Sequence, residues 1–187
     1  MFKKNTAEQF LADYFKAPKD TSIIALGPLT NIAKALEINP KLGENCHRFC
    51  SMGGNFKSHG NCSPVAEYNY WCDPHAAQIT FERLGRKVEM VGLDTTRHIV
   101  LTPNHLEYMS RINAEMTAFI TKITRFYFDF HWEYEHIIGC VINDPLALAY
   151  FVNSEVCSGF EAYTDVVTDG IAIGQTVVDQ YVFLPQT

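Results

Sequence analysis

The sequence has little positive charge and no long apolar run, and both shortages exclude classes of protein. Lys and Arg number 15 against 21 Asp and Glu, which gives a formal net charge of −6. Basic residues occur at most two in a row, so the chain offers no electrostatic track for nucleic acid. Charged or polar residues interrupt every apolar run before it reaches membrane-spanning length. We therefore expect neither a nucleic-acid nor a membrane partner.

The six cysteines include no C-x-x-C pair, so the sequence also lacks zinc-ribbon spacing. We interpret them as free thiols in a reducing compartment and predict a cytoplasmic location. What the chain does have is a globular composition, with 47% hydrophobic and 13% aromatic residues. Its 187 residues are enough for one domain with a sizeable core, and we take residues 1–187 as a single domain.

Short apolar runs alternate with amphipathic segments along the chain. This alternation predicts an α/β fold with a mainly parallel, Rossmann-like sheet flanked by helices. The predicted strands are 21–26, 48–52, 87–93, 160–167 and 172–178. Predicted helices begin at Thr6, where Gln9 completes a capping-box pattern, and at three cap-plus-proline pairs. Those pairs are Asp73-Pro74, Thr102-Pro103 and Asp144-Pro145, and a further long aromatic helix is predicted over 114–134.

Ligands of parallel sheets bind at the carboxyl ends of the strands, which directs attention to the polar loop 53–70. Asn61 lies in this loop, and Glu67 and Asn69 stand at i and i+2 of a predicted extended segment. Two such side chains point the same way and could grip a diol by hydrogen bonds. The alternative is that Asn61 is a turn residue and the other two are solvated, and spacing alone favours this alternative.

Asp144 precedes Pro145 and is most simply a helix N-cap, although a carboxylate at the ligand end of a sheet also suits a hard cation such as calcium. His131 and His136 fall where the aromatic helix ends, a position typical of surface or capping residues. The aromatic residues around them are more typical of a core, but they could also flank a planar base.

Taken together, these segments resemble the inosine-uridine preferring nucleoside hydrolase family. The resembling segments keep the family's order over nearly the whole chain: Ile23–Ala33, Met52–Gly54, Gly60–Asn69, Asp73–Ala77, Val91–Thr96, Asn143–Ala147 and Gly174–Asp179. The resemblance implies the nucleoside hydrolase fold and calcium-dependent cleavage of purine or pyrimidine ribonucleosides to ribose and free base. It also implies a homo-oligomer, since the family is commonly oligomeric.

The resemblance also implies roles for single residues. Calcium would be held by the Asp144 side chain and the Leu26 backbone carbonyl, and it would bind the ribose 2′- and 3′-hydroxyls and activate a water. Met52 would line the pocket and Tyr68 would pack beside the sugar. The remaining substrate contacts would come from Asn61, Glu67, Asn69, His131 and His136.

Two departures from the family pattern qualify these roles. The family's aspartate cluster lies upstream of anything present here, so we expect a chain truncated at its N-terminus, and also at its C-terminus. Its calcium site would be incomplete, since one side-chain carboxylate is too few for calcium. Asn143 occupies the catalytic position where many members have a histidine acid, and an amide cannot donate that proton. His131 or His136 could replace it, or the base could leave by another route.

Two other hypotheses stay open. In the first, the chain is a catalytically inactive remnant that binds nucleoside, ribose or a protein partner. In the second, it is an unrelated α/β enzyme, which would require every one of these motifs to be coincidental.

Overall fold

The computed structural model describes residues 6–183 and contains a three-stranded parallel sheet. Its strands, β1 (Ile23–Ala25), β2 (Phe49–Met52) and β3 (Glu89–Val91), follow one another in the order β1-β2-β3. Every residue of β2 is buried, as expected of a central strand covered on both faces. The predicted α/β fold with a parallel sheet is confirmed, although each of these strands is shorter than its apolar run.

The described residues fall into two compact units. One is formed by described residues within 1–94 and 147–187, and the other by 95–146. The single domain predicted over 1–187 stays a prediction. Within the described part of the chain, no helix combines the length and the apolar character that a membrane crossing needs.

The first unit packs helices against the parallel sheet. They are α1 (Ala7–Tyr14), α2 (Thr30–Ile38), α3 (Leu42–Asn45), α4 (Tyr68–Cys72) and α5 (Pro74–Arg83). Their shared core includes the fully buried side chains of Phe15, Leu29, Leu42, Phe49 and Tyr70. This core fixes both ends of the long loop between β2 and α4. Phe49 belongs to the strand before the loop, and Tyr70 belongs to the helix after it.

Two predicted helix starts behave differently. Thr6 precedes α1 with an extended backbone but makes no side-chain capping bond, so the predicted capping box is wrong. The nearby Glu8 carboxylate, whose pKa is lowered by hydrogen bonds to its own backbone amide and to Thr6, competes for the threonine hydroxyl. Asp73 does cap α5, accepting from the backbone amide of Ala76 at 3.0 Å and from the Thr30 hydroxyl at 2.5 Å.

The second unit contains α7 (Pro103–Ile112) and α8 (Ala114–Glu135), together with a short antiparallel pair. This pair, β4 (Val100–Leu101) and β5 (Cys140–Val141), is absent from the sequence-based prediction because two-residue strands leave no periodic pattern. Thr102 and His105 form a complete capping box at the start of α7. The short α6 (Leu93–Thr96) and α9 (Asn143–Val152) both run across the division between the units.

The predicted strands near the end of the chain exist, but they are antiparallel. They are β6 (Tyr163–Val166) and β7 (Thr176–Asp179), which pair in a separate two-stranded sheet. An isolated bridge joins Ala66 to Gln175, just before β7. The segment 174–176 therefore lies against the polar loop of the same unit, where the side-chain hydroxyl of Thr176 accepts from the backbone amide of Asn55 at 3.4 Å.

Candidate active site

The loop that follows β2 is anchored by one buried carboxylate. Glu67 is only 2% exposed, and its side chain accepts hydrogen bonds from three backbone amides. These belong to Gly54 at 2.9 Å, Asn69 at 2.9 Å and Tyr70 at 3.3 Å. Glu67 is therefore the N-cap of α4 and, through Gly54, also fixes the carboxyl end of β2.

The predicted extended segment at this point is wrong. Asn69 lies in the first turn of α4, because the Glu67 carboxylate draws the amides of Asn69 and Tyr70 into a helical turn. Both side chains are buried and make specific contacts, so they are not the solvated pair that spacing alone favours. Asn69 Nδ2 donates to the backbone carbonyl of Met52 at 3.0 Å, and its distance to the Met52 sulfur is 3.4 Å.

A second carboxylate fixes the next stretch of the same loop. Asp94 accepts from the backbone amides of Phe56, Lys57 and Ser58 at 2.5, 2.7 and 2.8 Å. Asp94 follows β3, so the loop after β2 is held from the neighbouring strand's carboxyl end. The sequence places Asp94 at the ligand edge of the sheet but assigns it no role, because the contact depends on how the loop folds back.

The two glycines at the start of the loop allow it to pass close to the core. A Cβ atom on Gly53 would lie 2.3 Å from the Tyr70 ring, and Gly54 has a φ of 71°. Only glycine adopts that left-handed conformation at little cost. The Tyr70 hydroxyl is itself 3.1 Å from the Ser51 hydroxyl, so the ring against which the glycines pack is fixed in place.

Two further residues of this unit have polar atoms or rings directed away from the core. Asn61 is exposed, and its Oδ1 accepts from the Tyr68 backbone amide at 2.9 Å. Tyr68 is exposed over 54% of its surface, whereas Met52 is buried. Leu26 follows β1 directly and is also exposed. The first unit therefore brings Asn61, Glu67, Tyr68, Asn69 and Met52 into one hydrogen-bonded loop region.

In the second unit, Asp144 lies in the first turn of α9 rather than at its N-cap, since the helix begins at Asn143. The predicted N-cap position is therefore wrong by one residue. The residue is exposed, yet the surrounding protein removes enough water from the carboxyl group to raise its pKa. A cation close to such a partly desolvated carboxylate would stabilise its charged form.

Asn143 is bonded to the aromatic helix α8. Its Nδ2 donates to the Tyr127 hydroxyl at 3.1 Å, while its buried Oδ1 has no partner among the described residues. Burial raises the pKa of Tyr127, so the phenol stays protonated at neutral pH. Because the Tyr127 oxygen accepts from Asn143, its own proton is available to another acceptor. Tyr127 carries no motif signal and is recognised only from this contact.

The two histidines differ in their surroundings. His131 is buried, with Nδ1 at 2.9 Å from the Tyr127 carbonyl and Nε2 at 3.5 Å from the Val141 amide, so both ring nitrogens have partners within the unit. His136 ends α8 in the left-handed conformation and is exposed. Its Nδ1 lies 3.1 Å from the Trp132 carbonyl. Of the two, His136 is the one that solvent or a ligand can reach.

Comparison with known proteins gives a consistent result. The chain matches the family model described as inosine-uridine preferring nucleoside hydrolase over residues 2–186. It is 33% identical over 177 residues to a probable uridine nucleosidase 1 of Oryza sativa subsp. japonica, covering 95% of this chain and 54% of that protein.

Two solved structures are also similar. A plant nucleoside hydrolase superposes with a TM-score of 0.90 at 28% identity, covering 100% of this chain and 59% of that one. A purine-preferring ribonucleoside hydrolase from Gardnerella vaginalis gives a TM-score of 0.85 at 32% identity, covering 97% and 58%. The chain thus spans about half the length of the curated relatives it matches.

Proposed function

The chain belongs to the inosine-uridine preferring nucleoside hydrolase family, and on that premise we propose that it hydrolyses the N-glycosidic bond of ribonucleosides to give ribose and free base. The observation that carries this proposal is the loop after β2. It keeps the polar residues of the family resemblance, and two carboxylates hold its backbone at the carboxyl end of a parallel sheet.

We propose that this loop binds the ribose. Asn61 is exposed, and its Nδ2 donates to no residue that the structure describes, so it can donate to a sugar hydroxyl. The Nδ2 of Asn69 donates to the backbone carbonyl of Met52. Its Oδ1 is therefore the side-chain atom that can accept a hydrogen bond from a substrate hydroxyl. Tyr68 offers an exposed ring beside Asn61. Glu67 acts chiefly by fixing these groups through its three backbone bonds.

The chemistry requires charge stabilisation and a proton. Cleavage of an N-glycosidic bond passes through an oxocarbenium-like state in which water adds to the sugar and the base departs with a proton. Asn143 cannot give that proton. We propose that His136 or Tyr127 supplies it, since His136 is exposed and the Tyr127 hydroxyl proton is not directed to Asn143.

Calcium is the cofactor that the family resemblance implies, but the described residues do not build a site for it on their own. Among residues 6–183, no three His, Cys, Asp or Glu side chains are grouped so that they could hold a metal ion. Calcium takes about six to eight oxygen ligands. We propose the Asp144 carboxylate and the Leu26 carbonyl as individual metal ligands.

The test is release of free base from inosine and uridine by the purified chain, with calcium or with a chelator. Nucleoside binding is measured on the same samples by calorimetry. Base release that the chelator abolishes supports the proposal, including its cofactor. Binding without release supports the inactive, nucleoside-binding alternative, and neither binding nor release overturns both. The predicted cytoplasmic location and the predicted homo-oligomer stay predictions.

A further inference from the structure

A cavity of about 260 Å³ lies at the amino ends of β2 and β3, within the first unit. We name it the amino-end cavity. Its lining residues come from the starts of these two strands: His47, Arg48, Phe49, Arg86, Lys87 and Glu89. The loop proposed to bind ribose follows the opposite, carboxyl end of β2. The cavity and that loop are therefore at different ends of the same strand.

The parallel register of the sheet explains why basic residues meet here. Cys50 of β2 lies opposite Glu89 of β3. Continued by three residues toward the amino ends, this register places His47 opposite Arg86. The Nη1 of Arg86 indeed donates a hydrogen bond to the backbone carbonyl of His47. Two short basic pairs, at 47–48 and 86–87, are thereby brought into one cluster.

The acidic member of the lining, Glu89, is committed to Arg48. Arg48 donates to its two carboxylate oxygens from Nε at 2.6 Å and from Nη2 at 2.5 Å, and its Nη1 donates to the Phe151 carbonyl at 2.7 Å. Hydrogen bonds from Arg48 are the main cause of the lowered pKa of Glu89, and the charge of Arg86 is a smaller cause. Arg48 and Glu89 thus balance each other, and the remaining positive charge of the lining comes from Arg86 and Lys87.

Arg86 has hydrogen-bonding capacity that the described residues do not use. Its Nε is buried and has no hydrogen-bond partner among them, while its Nη1 is taken by His47. A guanidinium stays charged at any physiological pH, so its buried donor cannot be relieved by losing a proton. Leaving a buried charged donor unsatisfied is costly. An anionic acceptor at the Nε–Nη2 edge of Arg86 would satisfy it.

Lys87 supplies a second positive charge that can move toward such an anion. Its ammonium group pairs with Glu161, but the two side chains are exposed over 77% and 80% of their surface. Exposed pairs of this kind contribute little free energy, because water screens them and two long side chains must be held still. Lys87 can therefore exchange Glu161 for a more highly charged partner at small cost.

The geometry of these donors favours phosphate over other anions. The planar fork of an arginine matches two phosphate oxygens, and a lysine beside it acts as a point charge. A phosphate dianion can balance Arg86 and Lys87 together, whereas a carboxylate carries only one negative charge. Pockets for drug-sized ligands are about 300–1,000 Å³. The amino-end cavity is smaller, which suits inorganic phosphate or the phosphate end of a small ester.

We propose that the amino-end cavity binds a phosphate group, with Arg86 as the bidentate donor and Lys87 as the second cation. The ligand is inorganic phosphate or a small phosphate ester such as a sugar phosphate. The proposal does not rest on the hydrolase function, because it uses only the charges and hydrogen bonds at the amino ends of β2 and β3.

The test is calorimetric titration of the full chain with inorganic phosphate and, separately, with ribose 5-phosphate. We expect one phosphate group bound per chain. Arg86→Gln and Lys87→Gln should each raise the dissociation constant about tenfold, because each removes a charged donor. Arg83→Gln, at an exposed arginine in the last turn of α5, is the matched control and should leave binding unchanged. Lys87 is exposed, so its variant keeps the test valid even if Arg86→Gln does not fold.

The two ligands identify the source of the phosphate group. Tighter binding of ribose 5-phosphate assigns the cavity to an ester, and equal or weaker binding assigns it to free phosphate. Asn61→Ala, in the loop proposed to bind ribose, should leave the binding of inorganic phosphate unchanged. Two results would overturn the proposal: no saturable binding of either ligand at about 10 mM, or binding that Arg86→Gln and Lys87→Gln leave as tight as in the unmodified chain.

Discussion

The carboxylate of Glu67 accepts a hydrogen bond at 2.9 Å from the backbone amide of Gly54, which lies thirteen positions earlier in the sequence. This contact closes the loop onto the end of β2 while the same side chain caps α4. The loop that we propose to bind ribose is therefore shaped by a buried carboxylate that accepts from the backbone amides of Gly54, Asn69 and Tyr70.

Replacing Glu67 by glutamine should destabilise the protein. The amide substitution keeps the size but puts an NH₂ group among N–H donors, leaving buried groups unsatisfied at a cost of about 1–3 kcal/mol. Urea unfolding measures the change. Glu82→Gln is the matched control, since Glu82 is exposed, and it should leave the unfolding midpoint unchanged. Equal midpoints for the two variants would contradict the anchoring role of Glu67.

Replacing Asp94 by asparagine should loosen one part of the loop without unfolding the chain. The amides of Phe56, Lys57 and Ser58 lose their charged acceptor, so their hydrogen exchange should become about tenfold faster or more. Exchange measured by mass spectrometry on loop peptides reports this directly. Asp20→Asn, at an exposed site, is the control. Unchanged protection at 56–58 would show that Asp94 does not hold the loop.

The pairing of Arg48 with Glu89 should make stability depend on acid pH. Hydrogen bonds from Arg48, 2.6 Å from Nε and 2.5 Å from Nη2, lower the pKa of Glu89 in the folded chain below its ordinary value. A lowered folded pKa contributes stability above the unfolded pKa, and that stability is lost as the pH falls through the folded pKa. Urea midpoints should drop from neutral to acid pH, and Glu89→Gln should flatten the drop. A parallel pH curve for the variant would count against the pair.

Restoring a histidine at position 143 should increase base release. Asn143 cannot act as an acid, whereas a histidine at this place titrates near neutral pH and could protonate the departing base. For Asn143→His we expect turnover to rise and its pH profile to gain a limb near the ordinary histidine pKa. Asn143→Gln is the control without an ionisable ring. Equal profiles for the two variants would indicate that the proton comes from elsewhere.

The sequence predicted those parts of the fold that depend on local pattern. The apolar runs before Leu26, Met52 and Leu93 located the three parallel strands, and Asp73-Pro74 located the start of α5. The five-residue helix α4 escaped prediction because it depends on the Glu67 carboxylate rather than on periodicity. The pairing of β4 with β5 escaped it because two short strands meet only through tertiary structure.

The resemblance proposes positions for the candidate site, but the sequence does not predict the contacts that these residues make. The family resemblance singled out Asn61, Glu67 and Asn69 as candidates, and their substrate contacts stay a prediction. The buried environment of Glu67 appears only once the loop has folded back. The role of Asp94 and the bond between Tyr127 and Asn143 join residues separated by many positions, and neither pair belongs to a recognisable motif.

The most direct test of the central claim is the rate of free-base release from uridine by the purified chain and by two aspartate variants in the presence of calcium. Asp144→Ala removes the proposed metal ligand, while Asp169→Ala changes an exposed aspartate elsewhere and serves as the control. We predict base release by the unmodified chain, a loss of about a hundredfold in Asp144→Ala, and no change in Asp169→Ala. No release by the unmodified chain, or equal rates for the two variants, would contradict the account.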